Sequence, residues 1–316
     1  MDKKMTESPI ESEPSSSERK IDPVAFLSII RPQNCFIGSL TVIAGFLMGY
    51  KQDPILNLFD ILIILAFAYI TYFTIAAGSN VVNDIYDIEI DKINRPHRAL
   101  PSGRMTIKQA WIYVAVLSAI GLFFGLLTGP WSTLIVLAFI AIGYAYAAKV
   151  KTWGLAGNFM VAFSFAFGVL YGSFVFAEQT MSYLIPVPSW LFFFTAFMIL
   201  QARETIKGAE DVEGDRIRDV RTIARVYGYS AAAGVAALLN LIGVVCYSLV
   251  WILNFASWDL WPLLILGSSI VLGAAIAPLT GPDNEKRLLI GSTLDKIGAL
   301  VGLIAFVIIS LYGLPI

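Results

Sequence analysis

Long apolar runs alternate with short polar segments along this chain, and nine of the runs reach or approach the roughly 20 residues that a helix needs to cross a bilayer core. They fall at about 24–49, 59–82, 107–127, 131–148, 155–176, 187–202, 229–253, 260–280 and 293–313. The 187–202 run is the shortest and extends toward Lys207. None shows the short alternation of a membrane β-strand, and in lipid only helices and closed barrels satisfy every backbone polar group. The pattern predicts an all-α polytopic membrane protein with nine transmembrane helices. Residues 1–21 are rich in Ser and Glu and lack an apolar centre, which reads as a disordered polar tail rather than a signal peptide. Residues 22–316 read as a single transmembrane domain.

Composition agrees. Of the 316 residues, 57% are hydrophobic and 14% charged, with a mean hydropathy of +0.74, too apolar for a soluble domain of this size. Charge placement predicts orientation. With a cytoplasmic N-terminus, every one of the 22 Lys and Arg residues except Lys51 falls on the inner side. The C-terminus then lies outside, and the chain is a multi-pass protein of the cell membrane. The outer connections near 128–130, 177–186 and 254–259 are short and nearly uncharged, so chemistry is expected at the inner end. A net charge of −1 gives no reason to expect nucleic acid as a partner. Cys35 and Cys246 lie inside apolar runs and read as packing residues.

Against this background two acidic clusters stand out. The first runs Asn83-Asp84-Ile85-Tyr86-Asp87-Ile88-Glu89-Ile90-Asp91, and the second runs from Glu210-Asp211 through Asp215 to Asp219. Each follows an apolar run. Carboxylates recur every fourth residue, so on a helix Asp87 and Asp91 share a face, as do Asp211, Asp215 and Asp219. The clusters are 124 residues apart, since 211 − 87 and 215 − 91 agree. This spacing predicts two four-helix halves, each with acids at the end of its second helix, closed by a ninth helix. Opposed acidic patches repel each other unless cations lie between them. Hard divalent cations such as Mg²⁺ take carboxylate, phosphate and water oxygens, so a metal and a polyanionic substrate fit the pattern. Asn83, Asp84, Asp87, Asp91, Asp211 and Asp215 are the candidate ligands.

Arg95, Arg98, Lys149, Arg203 and Lys207 share the acidic side and could bind a diphosphate. Topology-setting charge is the competing explanation for some of them. His97, the single histidine, sits in a loop and reads as incidental rather than as a base. The loops 83–106 and 203–228 read as partly helical lids broken by Pro96, Pro101, Gly103 and Gly228. Aromatic residues such as Phe163, Phe165, Phe167, Tyr171 and Phe174 are packing or lipid-facing groups, some of which would wall a greasy tunnel.

On these residues the chain resembles the UbiA superfamily of intramembrane prenyltransferases. Asn83, Asp87 and Asp91 match that superfamily's Asn-x-x-x-Asp-x-x-x-Asp signature, and Asp211 and Asp215 match its Asp-x-x-x-Asp signature. The resemblance covers about residues 24 to 314. It implies nine helices around a central cavity, a cytoplasmic cap over two Mg²⁺ sites bridging the substrate diphosphate, and a side opening to lipid. Three passages resemble the archaeal, ether-lipid-building members: Ile30-Arg31-Pro32-Gln33-Asn34-Cys35, Asp91-Lys92-Ile93-Asn94-Arg95-Pro96 with Leu100-Pro101-Ser102-Gly103, and Arg203-Glu204-Thr205-Ile206-Lys207 running into the second signature. The implied donor is geranylgeranyl diphosphate and the implied acceptor a geranylgeranylglyceryl phosphate. Catalytic roles carry over to Asp87, Asp91, Asp211, Asp215 and Lys149, and substrate contacts to Asn34, Asn83, Arg95, Arg98, Arg203 and Lys207. One element departs from the superfamily pattern. Lys149 fits a Tyr-x-x-x-Lys element, but position 145 is alanine, flanked by Tyr144 and Tyr146. Within the superfamily an aromatic or quinone-precursor acceptor is the alternative, and outside it a transporter or a non-catalytic scaffold is.

Overall fold

The structure, a computed structural model, describes residues 22–212 and 220–312. The tail 1–21, the acids Glu213, Asp215 and Asp219, and the last residues fall outside the described set. The described residues are helical with no strand, in the order α1 (Pro23–Ile29), α2 (Pro32–Gln52), α3 (Leu58–Tyr86), α4 (Ile88–Asn94), α5 (Ile107–Thr128), α6 (Pro130–Ala148), α7 (Leu155–Gln179), α8 (Val187–Glu210), α9 (Ile223–Tyr227), α10 (Tyr229–Ile252), α11 (Trp261–Leu279) and α12 (Glu285–Leu311). Among the described residues, eight helices are long and apolar enough to cross a membrane. The remaining long helix, α8, has 24 residues but carries Arg203, Glu204, Lys207 and Glu210 in its last two turns.

Local chemistry sets the helix boundaries. Asn57 caps α3 by accepting from the Asp60 N–H, and Thr106 with Gln109 forms a reciprocal capping box on α5. Asn284 caps α12, and Pro130 opens α6 where no N–H is needed. The apolar run 24–49 is not one helix. Arg31 adopts a left-handed φ of 52° ahead of Pro32, and this breaks the run into the short α1 and the membrane-length α2. Two other boundaries move outward from the apolar limits: α3 runs on to Tyr86, and α8 to Glu210. Backbone hydrogen bonding continues through residues whose polarity ends the hydropathy signal.

Two helix pairs pack to a similar extent. The most extensive contacts join α3 to α5 and, equivalently, α8 to α10. The first helices of the halves, α2 and α7, cross so closely that a Cβ on Gly45 would overlap the Val169 carbonyl oxygen, and one on Gly172 the Val42 carbonyl oxygen. Helix α12 closes the bundle against α11, α8 and α2. Outward faces expose Phe123, Leu126, Leu134 and Leu266, as a lipid-facing surface would. Trp131, Trp153, Trp190, Trp258 and Trp261 are exposed near helix ends, the placement of an interfacial aromatic belt.

At the end opposite the acids, Glu178 anchors a helix terminus. Its carboxylate accepts from the Trp131 and Ser132 N–H groups, each at 2.8 Å, and from Ser132 Oγ at 2.6 Å. Lys51 Nζ donates to the Ile309 carbonyl at 2.8 Å, near the C-terminal end of α12.

At the acidic end the described parts of both long loops pack back onto the helices. Ala99, Leu100 and Met105 bury themselves with Ala25, Ile29, Val81 and Val82, and Ala224 of α9 packs against Ala202, Ile206 and Ala209 of α8. Two clefts lie in corresponding halves. One is lined by Ser79, Ser118, Gly143 and Tyr144, and the other by Thr195, Tyr247, Gly267 and Ser268.

Candidate active site

Asp87 and Asp211 occupy the same structural position. Each is the C-cap of a membrane-length helix, with φ/ψ of −94°/2° and −99°/13°, and each N–H bonds back to a carbonyl four residues earlier, Asn83 and Lys207. The helix ends obey the sequence interval, since 210 − 86 is again 124. A carboxylate at a helix C-terminus faces the negative end of the helix dipole, where cations are favoured. Two spans ending in this locally unfavourable way mark a site rather than a stability device.

Around the first cluster the opposing charges come from three separate elements. Arg31, at the break between α1 and α2, donates to Asp84 Oδ1. Arg98, in the lid, donates to Asp91 Oδ2 at 2.6 Å and to Asp84 Oδ1 at 3.2 Å. Lys151, in the turn after α6, meets Asp87 Oδ1 at 2.6 Å. Three acids are thus balanced by three cations. Asp84 and Asp91 are each 5% exposed, so the pairs are held in a region where charge is poorly screened. Asn80 ties α3 to the same break by donating to the Ile30 carbonyl at 2.9 Å.

The sequence-predicted residues distribute unevenly. Asp84, Asp87, Asp91 and Arg98 converge. Asn83 joins them with a buried Oδ1 that has no hydrogen-bond partner. Asp211 is exposed at the end of α8, and Asp215 is outside the described residues. Lys149 makes no ion pair among the described contacts and lies 5.9 Å from the centre of the Trp153 ring. Lys151, two residues on, takes the acid contact instead. Arg95 and Asn34 are exposed at this end and make no ion pair among the described contacts. Arg203 pairs with its neighbour Glu204 at 2.7 Å, and Lys207 is half-buried one turn before Asp211. His97 is exposed, and its carbonyl accepts from Arg104. Sequence reasoning gave no site role to Arg31 or Lys151. The Arg-Pro step opening the second helix and the doubled lysine of the 149–151 turn are the signals that could have found them.

An aromatic cluster links three of the helices. Phe163 contacts Phe139, Phe159, Phe167, Phe193 and Phe197, which link α6, α7 and α8. Ring faces of this kind stabilise a cation in a dry cavity. Tyr146 of α6 lies near Glu204, Asp87 and Arg31.

Among the described residues no three carboxylates, thiols or imidazoles converge tightly enough to make a metal cage. A cage is not required, because Mg²⁺ is commonly held by one or two carboxylates together with substrate phosphates and water. Asp87 and Asp91 beside the unpartnered Asn83 oxygen fit that arrangement.

A membrane-spanning helical bundle with carboxylates capping equivalent helices at one end, and cations from three elements around them, is built to handle a polyanion at the membrane surface. The chain belongs to the UbiA prenyltransferase family, whose model matches residues 39–290. It is 32% identical over 281 residues to digeranylgeranylglyceryl phosphate synthase of Methanothermobacter thermautotrophicus, covering 89% of this chain and 94% of that protein. It is 31% identical over 288 residues to the synthase of the same name from Saccharolobus solfataricus, covering 91% and 97%. Among solved structures, one described as giving structural and mechanistic insights into digeranylgeranylglyceryl phosphate synthase in membranes aligns at a TM-score of 0.74 and 27% identity, over 91% of this chain and 98% of that one. A UbiA homolog from Archaeoglobus fulgidus, solved with GPP and Mg²⁺, shares the fold at a TM-score of 0.61 and 17% identity, over 89% and 99%.

Proposed function

We propose that the protein transfers a geranylgeranyl group from geranylgeranyl diphosphate to the free hydroxyl of geranylgeranylglyceryl phosphate, making the second ether bond of an archaeal membrane lipid. The observation that carries this reading is the balanced set Asp84, Asp87 and Asp91 against Arg31, Arg98 and Lys151, in a chain that aligns nearly end to end with synthases of that activity.

Asn83, Asp87 and Asp91 on one side, with Asp211 and Asp215 on the other, would hold two Mg²⁺ ions, which neutralise the diphosphate as it leaves. Asp84, buried between two guanidinium groups, serves to hold Arg31 and Arg98 rather than as a ligand. A bound diphosphate competes with the carboxylates for the same donors, so Lys151 and Arg98 pass from acids to phosphate oxygens. Arg supplies the fork and Lys a point charge. The lids exclude water while the allylic C–O bond breaks, and the Phe163 cluster walls the apolar side. The active site and N-terminus face the cytoplasm, the C-terminus faces outward, and the host is the cell membrane.

The test is purified protein in lipid nanodiscs with labelled geranylgeranyl diphosphate, Mg²⁺ and a panel of acceptors. The glyceryl phosphate acceptor should be prenylated at least about tenfold faster than an aromatic acid or a quinone precursor, a margin of roughly 1.4 kcal/mol. A preference for an aromatic acceptor would reassign the substrate.

A further inference from the structure

A second set of ionisable groups lies within the bundle, and the scheme above leaves it unused. On α8, Arg203 Nη1 donates to Glu204 Oε1 at 2.7 Å, while Arg203 Nε is buried without a partner. On α12, Asp295 is 0% exposed and both its carboxylate oxygens lack a hydrogen bond. Asn240 of α10, equally buried, approaches Asp295 without completing a hydrogen bond, and Arg203 is the cation within reach of that acid. The placement is fixed by packing. Helix α8 packs against both α10 and α12, and Ser292, one turn before Asp295, bonds to Glu210 at the end of α8. Unpaired ionisable groups at membrane depth are costly and are retained for function.

Two acids, Glu204 and Asp295, lie about one guanidinium, Arg203. Lys207, on the next turn, makes no ion pair with either acid among the described contacts. Of the two acids only Glu204 is accessible, with its side chain 19% exposed. It lies seven residues, about two turns, before the Asp211 cap, and so on the same side of α8 as that acid.

Ether formation must discard one proton. The hydroxyl oxygen bonds to C1 of the prenyl chain, the C1–O bond breaks with its electron pair leaving on diphosphate, and the former hydroxyl proton remains on the new oxonium oxygen. Resting on the function proposed above, we propose that Glu204 takes this proton. Arg203 orients the Glu204 carboxylate, and Asp295 with Asn240 positions Arg203 from behind.

Glu204→Gln keeps an oxygen to accept from Arg203 but cannot take the proton. Its kcat should fall about a hundredfold, the usual scale for a lost base, while Mg²⁺-dependent binding of geranylgeranyl diphosphate stays within about twofold and thermal stability is unchanged. Glu204→Ala should regain about tenfold in kcat with added formate, and Asp295→Asn should lose about tenfold in kcat with donor binding intact. A Glu204→Gln variant with kcat within about threefold of wild type, or a Glu204→Ala variant indifferent to formate, overturns the inference. A wild-type protein that makes no ether from the glyceryl phosphate acceptor instead overturns the proposed function, a distinguishable result.

Discussion

Lys151 Nζ lies 2.6 Å from Asp87 Oδ1 and joins the turn after α6 to the C-terminal cap of α3. Lys149, two residues earlier, lies over Trp153 instead. The two lysines therefore differ in what they touch, a carboxylate in one case and an aromatic ring in the other. Lys151→Met should lower kcat/KM for the prenyl diphosphate by about ten- to a hundredfold, the value of one charge-assisted contact. Lys149→Met should change it by less than about threefold. Steady-state kinetics on the two variants checks the assignment.

Asp84 differs from Asp87 in what surrounds it. Two guanidinium groups converge on a carboxylate that is 5% exposed. Removing one member of such a set leaves buried charge uncompensated, at a cost of about 3–5 kcal/mol. Asp84→Ala should thus lower thermal stability markedly as well as activity. Asp87→Asn, at a side chain 20% exposed, should lower activity with a much smaller stability loss. Thermal melts in one detergent, paired with activity, separate the two roles.

Glu178 gives a structural control far from the chemistry. It satisfies two N–H groups at the start of α6, so Glu178→Ala should cost about 1–3 kcal/mol in stability. The folded fraction should keep wild-type kcat. A melt and an active-site titration measure these independently.

Packing between α2 and α7 allows no side chain at Gly172, whose Cβ would meet backbone rather than a movable group. Gly172→Leu should abolish folded protein on size-exclusion chromatography. Gly302, with nothing close to its Cβ position, should accept alanine.

The helical architecture was legible because membrane spans are long and carry the strongest periodicity-independent signal in a sequence. The matching helix ends were legible for a different reason. The two acidic clusters keep one interval, and the structure turns that interval into equal cap positions for Asp87 and Asp211. Helix ends were less legible where polar function intrudes on apolar composition. The end of α8 beyond Leu200 is helical by backbone hydrogen bonding, although Arg203, Glu204 and Lys207 interrupt its hydropathy. The break at Arg31 depends on a left-handed residue before proline, a conformation that apolar periodicity does not encode. Site partners were the least legible part. Arg31 and Asp84 are 53 residues apart, and Lys151 and Asp87 are 64 apart, so only the packed bundle chooses between neighbouring basic residues. Asp295 and Asn240, isolated in apolar runs, gain meaning only from their common burial.

The equivalence of the two acidic caps is tested most directly by Asp87→Ala and Asp211→Ala in the purified protein, measuring prenyl transfer at saturating Mg²⁺ with labelled geranylgeranyl diphosphate. Both substitutions should reduce product formation by at least about a thousandfold, roughly 4 kcal/mol of lost transition-state stabilisation. Near-normal turnover in either variant would contradict the account.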